Sequence, residues 1–312
     1  MIKPEKNDEM KIKNEQAADI FLEILDTDDS ESEDFERNVN QIFKKLINLG
    51  FHGLFNNSFI KGYSPEKAIS IFELGLKLCP EHIDVLKFYT AFLYEHKQFK
   101  KAVPHLKKLV ELEPESCYGW NFLGFALFNV ESKSEKKLLG DPEKCYKKAL
   151  ELNQSYSEAW FNLGMYYKQE KRFKDAITCL EKVLESNPED DFTLFALGHA
   201  HRIAGNEDLA IELYEKSLAL NPRNDSAWNN LGYIYASRFE FKKAIQMYVR
   251  ALQFNDESDI TWYNLKYAYI GTEQFEKADY CEEKAVMLKN YYAQREDPSF
   301  KKREDKEAWY YS

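Results

Sequence analysis

From Leu49 to Tyr292 the apolar and polar positions follow two periods at once. Within short stretches the apolar residues recur at helical spacing, and the stretches themselves recur every 34 residues. Counted from starts at Leu49, Ile83, Cys117, Ser157, Asp191, Asp225 and Asp259, position 4 is Trp or a large apolar residue, 7 is mostly Leu, 8 is small and 11 is aromatic or apolar. At about 100° per residue, positions 4, 7, 8 and 11 share one face of a helix. Position 20 is Ala in most copies, 24 is large and 27 is mostly small, which marks a second helix. Pro at position 32 cannot continue that helix and ends it. The pattern predicts seven helix–turn–helix units, no strand, and at most fourteen helices between Leu49 and Tyr292.

Three residue types report the same period independently. Trp120, Trp160, Trp228 and Trp262 are spaced by 40, 68 and 34 residues, and Pro80, Pro114, Pro188 and Pro222 by 34, 74 and 34. Both place one six-residue insertion in the copy opening at Cys117, near Glu131–Asp141. Gly124, Gly164, Gly198 and Gly232 each follow a Trp, or Leu194 in its place, by four residues. Gly inside a helix costs about 1 kcal/mol against Ala, so a close approach by a neighbouring helix is expected there. Asp141-Pro142-Glu143 reads as a cap followed by Pro at the first helical position, so the insertion falls in the turn between two helices.

The clearest copies read SEAWFNLGMYYKQEKRFKDAITCLEKVLESNP and DSAWNNLGYIYASRFEFKKAIQMYVRALQFND. The pattern resembles the tetratricopeptide repeat family, W-x2-L-G-x2-Y followed by A-x3-F, A and P, over about three quarters of the chain. The resemblance implies an all-α fold, a right-handed α-solenoid of stacked hairpins with a concave groove that binds peptides and partner proteins. Terminal copies depart from the pattern. The repeat at 49–82 has His52, Phe55 and Asn56 at positions 4, 7 and 8, and the last has Lys266 and Glu282 at positions 8 and 24, as a capping repeat would. Four segments are expected: an acidic arm at 1–33, a capping helix at 34–48, the repeats at 49–292, and a capping segment at 293–312 that docks Trp309, Tyr310 and Tyr311 or carries them as a partner motif.

Composition narrows the class. The 312 residues are 44% hydrophobic and 31% charged, a soluble globular balance. No apolar run reaches the ~20 residues that span a bilayer, and MIKPEKNDEM has no apolar core of a secretory signal. Five scattered Cys with no CxxC pair favour a reducing, cytoplasmic setting. The net charge of −10 sits almost wholly in residues 1–36, which hold 13 acidic and 4 basic side chains. The balanced remainder lacks the basic stripe of a nucleic-acid binder.

Catalytic and metal motifs are missing. His199 and His201 point apart on a helix, and Asp26-x-Asp28-x-Ser30 continues with Glu31 and Arg37 where a calcium loop needs Gly and Glu. No cofactor, no metal and no enzymatic activity are expected. Ser30 and Ser32 lie in an acidic run that acidophilic kinases favour. The best candidate site is the groove face, positions 2, 5, 6, 9, 12 and 13 of the first helices. Position 6 reads Asn162, Ala196, Asn230 and Asn264, position 5 reads Phe161, Phe195, Asn229 and Tyr263, and position 9 reads Met165, His199, Tyr233 and Tyr267. Asn offers a donor and an acceptor to a peptide backbone whatever its side chains, and the series resembles the Asn-lined superhelix of the O-linked N-acetylglucosamine transferase. A position-6 Asn is also tolerated on any exposed helix face, and some of these aromatics could instead pack between adjacent first helices. A chaperone-tail carboxylate clamp lacks its basic residues, with Phe192 and Ala196, or Ile260 and Asn264, where they belong.

The expected function is a non-catalytic protein–protein interaction scaffold holding an extended segment of a partner. The alternatives are a recognition subunit of a separate enzyme complex and an RNA-binding helical repeat. No membrane and no nucleic-acid partner are expected. Ala17, Phe21, Ile24 and Leu25 form an apolar stripe in the acidic arm, which would mask the groove if Lys168, Arg202 and Arg238 attract it; the same stripe could instead cap the solenoid or stay disordered.

Overall fold

A computed structural model of the chain describes residues 83–131 and 138–294, with residues 69, 72, 73, 76, 77, 80 and 81. The acidic arm, the capping helix at 34–48, most of the repeat at 49–82, residues 132–137 of the insertion and the tail from residue 295 lie outside the described residues. Among the described residues there are twelve α-helices and no strand. The chain divides into two compact units, one ending at Leu152 and one beginning at Asn153.

In the first unit α1 (Ile83–Glu95) pairs with α2 (Phe99–Leu112), and α3 (Cys117–Phe128) pairs with α4 (Pro142–Leu152). Leu86, Tyr89, Leu93, Ala102, Leu106, Leu123 and Leu127 form one core from α1, α2 and α3. α4 begins where the Asp-Pro-Glu reading put it, with the Asp141 carboxylate accepting from the Glu143 backbone N–H at 3.0 Å. Pro104 lies inside α2.

In the second unit α5 (Ser157–Gln169) pairs with α6 (Phe173–Ser186), α7 (Asp191–Ile203) with α8 (Glu207–Leu220), α9 (Asp225–Ser237) with α10 (Phe241–Phe254), and α11 (Asp259–Ile270) with α12 (Phe275–Gln294). Each second helix also packs on the first helix of the next hairpin. The core is therefore a chain of local clusters: Phe195, Tyr214 and Leu231 join α7, α8 and α9, while Tyr248, Leu265 and Cys281 join α10, α11 and α12. No hairpin buries its apolar face alone, and stacking supplies the rest, as in other repeat folds.

The position-8 glycines do what the pattern implied. A Cβ on Gly232 would sit 2.6 Å from the Tyr248 ring, on Gly198 3.0 Å from Tyr214, and on Gly124 2.8 Å from Tyr146. Gly164 faces the smaller Leu180, at 3.1 Å. Each contact joins position 8 to position 24 of the same repeat. In the last repeat the two residues are Lys266 and Glu282, whose Nζ and Oε1 lie 2.8 Å apart. An ion pair thus replaces the knob-in-notch contact in this repeat.

Two turns alternate. Within a hairpin, position 15 adopts the left-handed conformation at Lys97, Lys171, Gly205, Phe239 and Glu273, with φ between 55° and 85°. The next backbone N–H then donates to the carbonyl of position 11, as Arg172 does to Tyr167 at 2.8 Å and Glu240 to Tyr235 at 2.8 Å, closing the helix in a Schellman turn. Between hairpins, helices end before the Pro and the next begins behind a polar cap: Ser116 accepts from Gly119 N, Asp190 from Phe192 N, Asn224 from Ala227 N and Ser258 from Thr261 N. Trp closes the same junction. The indole N–H of Trp120 donates to Pro114 O, Trp160 to Gln154 O, Trp228 to Pro222 O and Trp262 to Asp256 O, at 2.8–2.9 Å. These indoles are half-buried rather than fully buried.

Candidate functional site

In the second unit the first helices α5, α7, α9 and α11 bring positions 5, 6, 9 and 12 to one face, but the side chains divide sharply in exposure. Tyr233, Tyr263 and Tyr267 are 46%, 48% and 48% exposed, and Phe192 at position 2 is exposed beside them. Phe161, Asn162, Met165 and Asn264 are half-buried. Phe195, His199, Asn229 and Asn230 are buried.

The expected open row of asparagines is therefore a correction. Asn230 is 1% exposed and donates its amide N–H to Ser226 O, one turn back, at 2.8 Å. Asn264 donates to the Asn229 side-chain oxygen at 3.2 Å, tying α11 to α9. Several aromatics are core rather than lining: Phe195 packs 5.7 Å from the Tyr214 ring, and Phe161 and Met165 lie against Leu180, Leu194 and Leu197. Phe161 also meets Phe192 of α7 at 5.5 Å. Adjacent first helices are close enough to bury Phe195 and Asn229 at position 5 while Tyr263 stays open, which is what the pattern could not decide.

Charge on this face is concentrated at position 12. Lys168 on α5 is 8% exposed. Burial, and then the charge of Arg202 on α7, push its ammonium down to about 8. The Arg202 guanidinium lies 5.0 Å over the Tyr233 ring, and its Nη2 is 3.3 Å from His199 Nε2. Arg238 is different from what the sequence suggested. It is bound to Glu207 at 2.8 Å and Asp208 at 2.9 Å, so its charge is already answered by α8. At the far end Tyr263 and Tyr267 hydroxyls pair at 2.7 Å and Lys266 lies over both rings. The hydrogen bond with Tyr263, then burial, raises the Tyr267 phenol.

Two cavities carried no signal in the repeat pattern. In the first unit one of about 170 Å³ opens between α1 and α3, lined by Thr90, Tyr94, Leu106, Tyr118 and Phe122. Tyr94 anchors it, 5.4 Å from Phe122 and 4.8 Å from Phe125. The asparagine series begins only at Asn162, so a search led by Asn passes this aromatic stretch by. In the second unit a cavity of about 390 Å³ lies among Val249, Leu252, Trp262, Leu265, Tyr269 and Tyr280. Cys281 borders it, and burial pushes that thiol up to about 11; burial, then Asp141, pushes Cys145 up to about 12. Neither is a ready thiolate. Among the described residues no three His, Cys, Asp or Glu side chains gather as a metal site, and no helix is long and apolar enough to cross a membrane.

Family models described as tetratricopeptide repeat match residues 157–190 and 225–257, and one described as TPR repeat matches 198–238. A comparison with curated proteins finds no match. The fold is similar to that of PilF of Pseudomonas aeruginosa, with 19% identity, a TM-score of 0.56, and coverage of 72% of this chain and 97% of that one. It is also similar to a chain of the APC/C hetero-tetramer Cut9–Hcn1, with 19% identity, a TM-score of 0.51, and coverage of 88% of this chain and 58% of that one. MamA from Desulfovibrio magneticus RS-1 gives 19% identity and a TM-score of 0.51 over 57% of this chain and 97% of that one. At this identity the likenesses speak to fold alone. The 34-residue period, the small-to-large contact between positions 8 and 24, the consecutive helix pairs and the matched segments agree, and the chain carries tetratricopeptide repeats at residues 157–190 and 198–257.

Proposed function

We propose that the protein is a non-catalytic interaction scaffold whose first-helix face binds an extended segment of a partner protein in a reducing, cytoplasmic setting. The observation that carries this reading is the run of exposed tyrosines on successive first helices. Tyr233 on α9 and Tyr263 and Tyr267 on α11 are about half accessible. Tyrosine gives contact area at little cost in side-chain entropy and keeps a hydroxyl for hydrogen bonding. The half-buried Asn229–Asn264 bond ties α9 to α11 beneath them. The amide row thus supports the site rather than reading the peptide by itself.

A peptide array probed with the full chain tests this. Spots retained by the wild-type protein should fade with Tyr233→Ala combined with Tyr267→Ala, and with Asn264→Ala. Val249→Ala, on the second helices, should leave them unchanged. Retention indifferent to all of these variants removes the assignment of the face.

A further inference from the structure

The cavity of about 390 Å³ among α10, α11 and α12 has an origin in the repeat. Position 23 is Met247 in the preceding repeat, where it packs on the Tyr214–Leu231 cluster beside Trp228 and Tyr235. In the last repeat position 23 is Cys281, a shorter side chain set below Trp262 and Tyr269, and the space stays open. The rim differs as well. One repeat earlier, positions 25 and 22 at the corresponding junction are Glu215 and Gln246. Here they are Val249 and Tyr280, both exposed. From Tyr280 an apolar track leads away along α12. Tyr280, Met287 and Tyr291 recur at i, i+7 and i+11, on one face of the helix, and each is about half exposed. Lys284 lies over the Tyr280 ring between them. The track runs from the cavity to the last turn of α12, which ends at Gln294. A contiguous apolar surface of this kind marks a place that something covers.

We propose that the chain's own segment 295–312 covers this surface, folding back along α12 to place Trp309 in the cavity. The segment lies outside the described residues, and its sequence and length carry the argument. Asp297-Pro298 favours a turn, and Pro cannot simply extend the helix before it. The chain can therefore reverse just past Gln294. Cys281 lies about 20 Å of helix back from that point. Residues 299–309 span about 36 Å when extended, so the reach is ample. The segment also carries the side chains that the surface lacks: Phe300 for the track, and Trp309 with Tyr310 and Tyr311 for the cavity. Trp262 and Tyr280 already stand edge to face at 5.9 Å, and a third ring extends that cluster. The proposal does not depend on the peptide face. Trp262, Leu265 and Tyr269 line the cavity from α11, which leaves the exposed Tyr263 and Tyr267 free.

The test reads Trp309 itself. The emission that the full chain loses on Trp309→Phe is that of Trp309, and it should lie to the blue of a free peptide of residues 295–312 and resist acrylamide. Val249→Glu combined with Tyr280→Gln gives the rim the residues of the preceding repeat. In that background the difference spectrum should shift to that of the free peptide. A difference spectrum equal to the peptide's in the wild-type rim overturns the proposal, and so does a blue spectrum that the rim pair leaves unmoved. Blue emission that reverts on dilution gives the cavity to the tail of a second copy and overturns the assignment within one chain. Amide exchange keeps the test decisive if the rim pair unfolds the chain. Trp309→Ala should speed exchange in α12 around Tyr280 and leave α5 and α6 as they were; exchange unchanged in α12 overturns the proposal.

Discussion

Gly232 and Lys266 hold the same position in successive repeats and solve opposite problems. Gly232 leaves room for Tyr248, and Lys266 instead reaches across to Glu282 as an ion pair. Helix propensity alone favours Gly232→Ala by about 1 kcal/mol. The 2.6 Å approach of Tyr248 reverses the sign, and overpacking should leave a net loss of roughly 1–2 kcal/mol in a thermal or urea melt. Adding Tyr248→Leu, which imitates the Gly164–Leu180 pair, should recover part of it. Lys168 gives a pH-dependent counterpart. Its folded value of about 8 lies below the ordinary 10.5, so the unfolded chain takes up the proton first as pH falls. Stability is lost between those values and the loss is constant below about 8, on the order of 3 kcal/mol. Lys168→Met should therefore raise the melting temperature at neutral pH and change little above about pH 10.5. The glycine notch was legible in the sequence because a costly residue recurs at one phase. The burial of Asn229 and Asn230 was not, since asparagine suits an open face and a sealed helix contact equally.

At the scale of the element, the hairpin turn is the least legible part. Position 15 is left-handed in five repeats, yet only Gly205 advertises it; Lys97, Lys171, Phe239 and Glu273 take the same φ with a side chain. A left-handed L-residue costs about 1–2 kcal/mol, partly offset by the greater freedom glycine loses on folding. Lys171→Gly should stabilise the chain by about 0.5 kcal/mol, and Gly205→Ala should destabilise it by about 1 kcal/mol, both read from urea midpoints. The Trp junction was visible as a period but not as a bond. Trp228→Phe keeps a ring and loses the donor to Pro222 O, for about 0.5–1.5 kcal/mol. Trp228→Ala loses packing as well and should cost about 3 kcal/mol, at the low end for a large aromatic because the ring is half-buried. Asn230→Ala removes the buried bond to Ser226 O and should cost about 1 kcal/mol. If Asn230→Ala matches Trp228→Ala, the packing order of α9 is misjudged.

At the scale of the whole molecule, the second unit is a sequence of neighbours. Clusters such as Tyr248, Leu252, Leu265 and Cys281 never extend past the adjoining hairpin. Stability should therefore be local. Leu252→Ala is expected to speed amide exchange in α10, α11 and α12 while α5 and α6 keep their protection, which mass-spectrometric exchange can resolve. Uniform loosening of the unit would show a single cooperative block instead. Fold class was readable because repetition amplifies weak cues: one Trp or Pro means little, but four in phase exclude accident. The site was read less well because binding faces break repetition. Position 9 changes from Met165 to His199 to Tyr233 to Tyr267, and no period tells which of these remains open.

The indole bonds have a use outside mechanics. Each half-buried Trp touches the carbonyl of one junction, so its emission colour reports whether that junction is closed. Trp120, Trp160, Trp228 and Trp262 mark four separate places along the array, and Leu194 leaves the junction before α7 dark. Chains keeping one of these indoles, the other three and Trp309 changed to Phe, would act as a set of thermometers built into the backbone. Heated together, they would read out the order in which neighbouring repeats let go, with no label added.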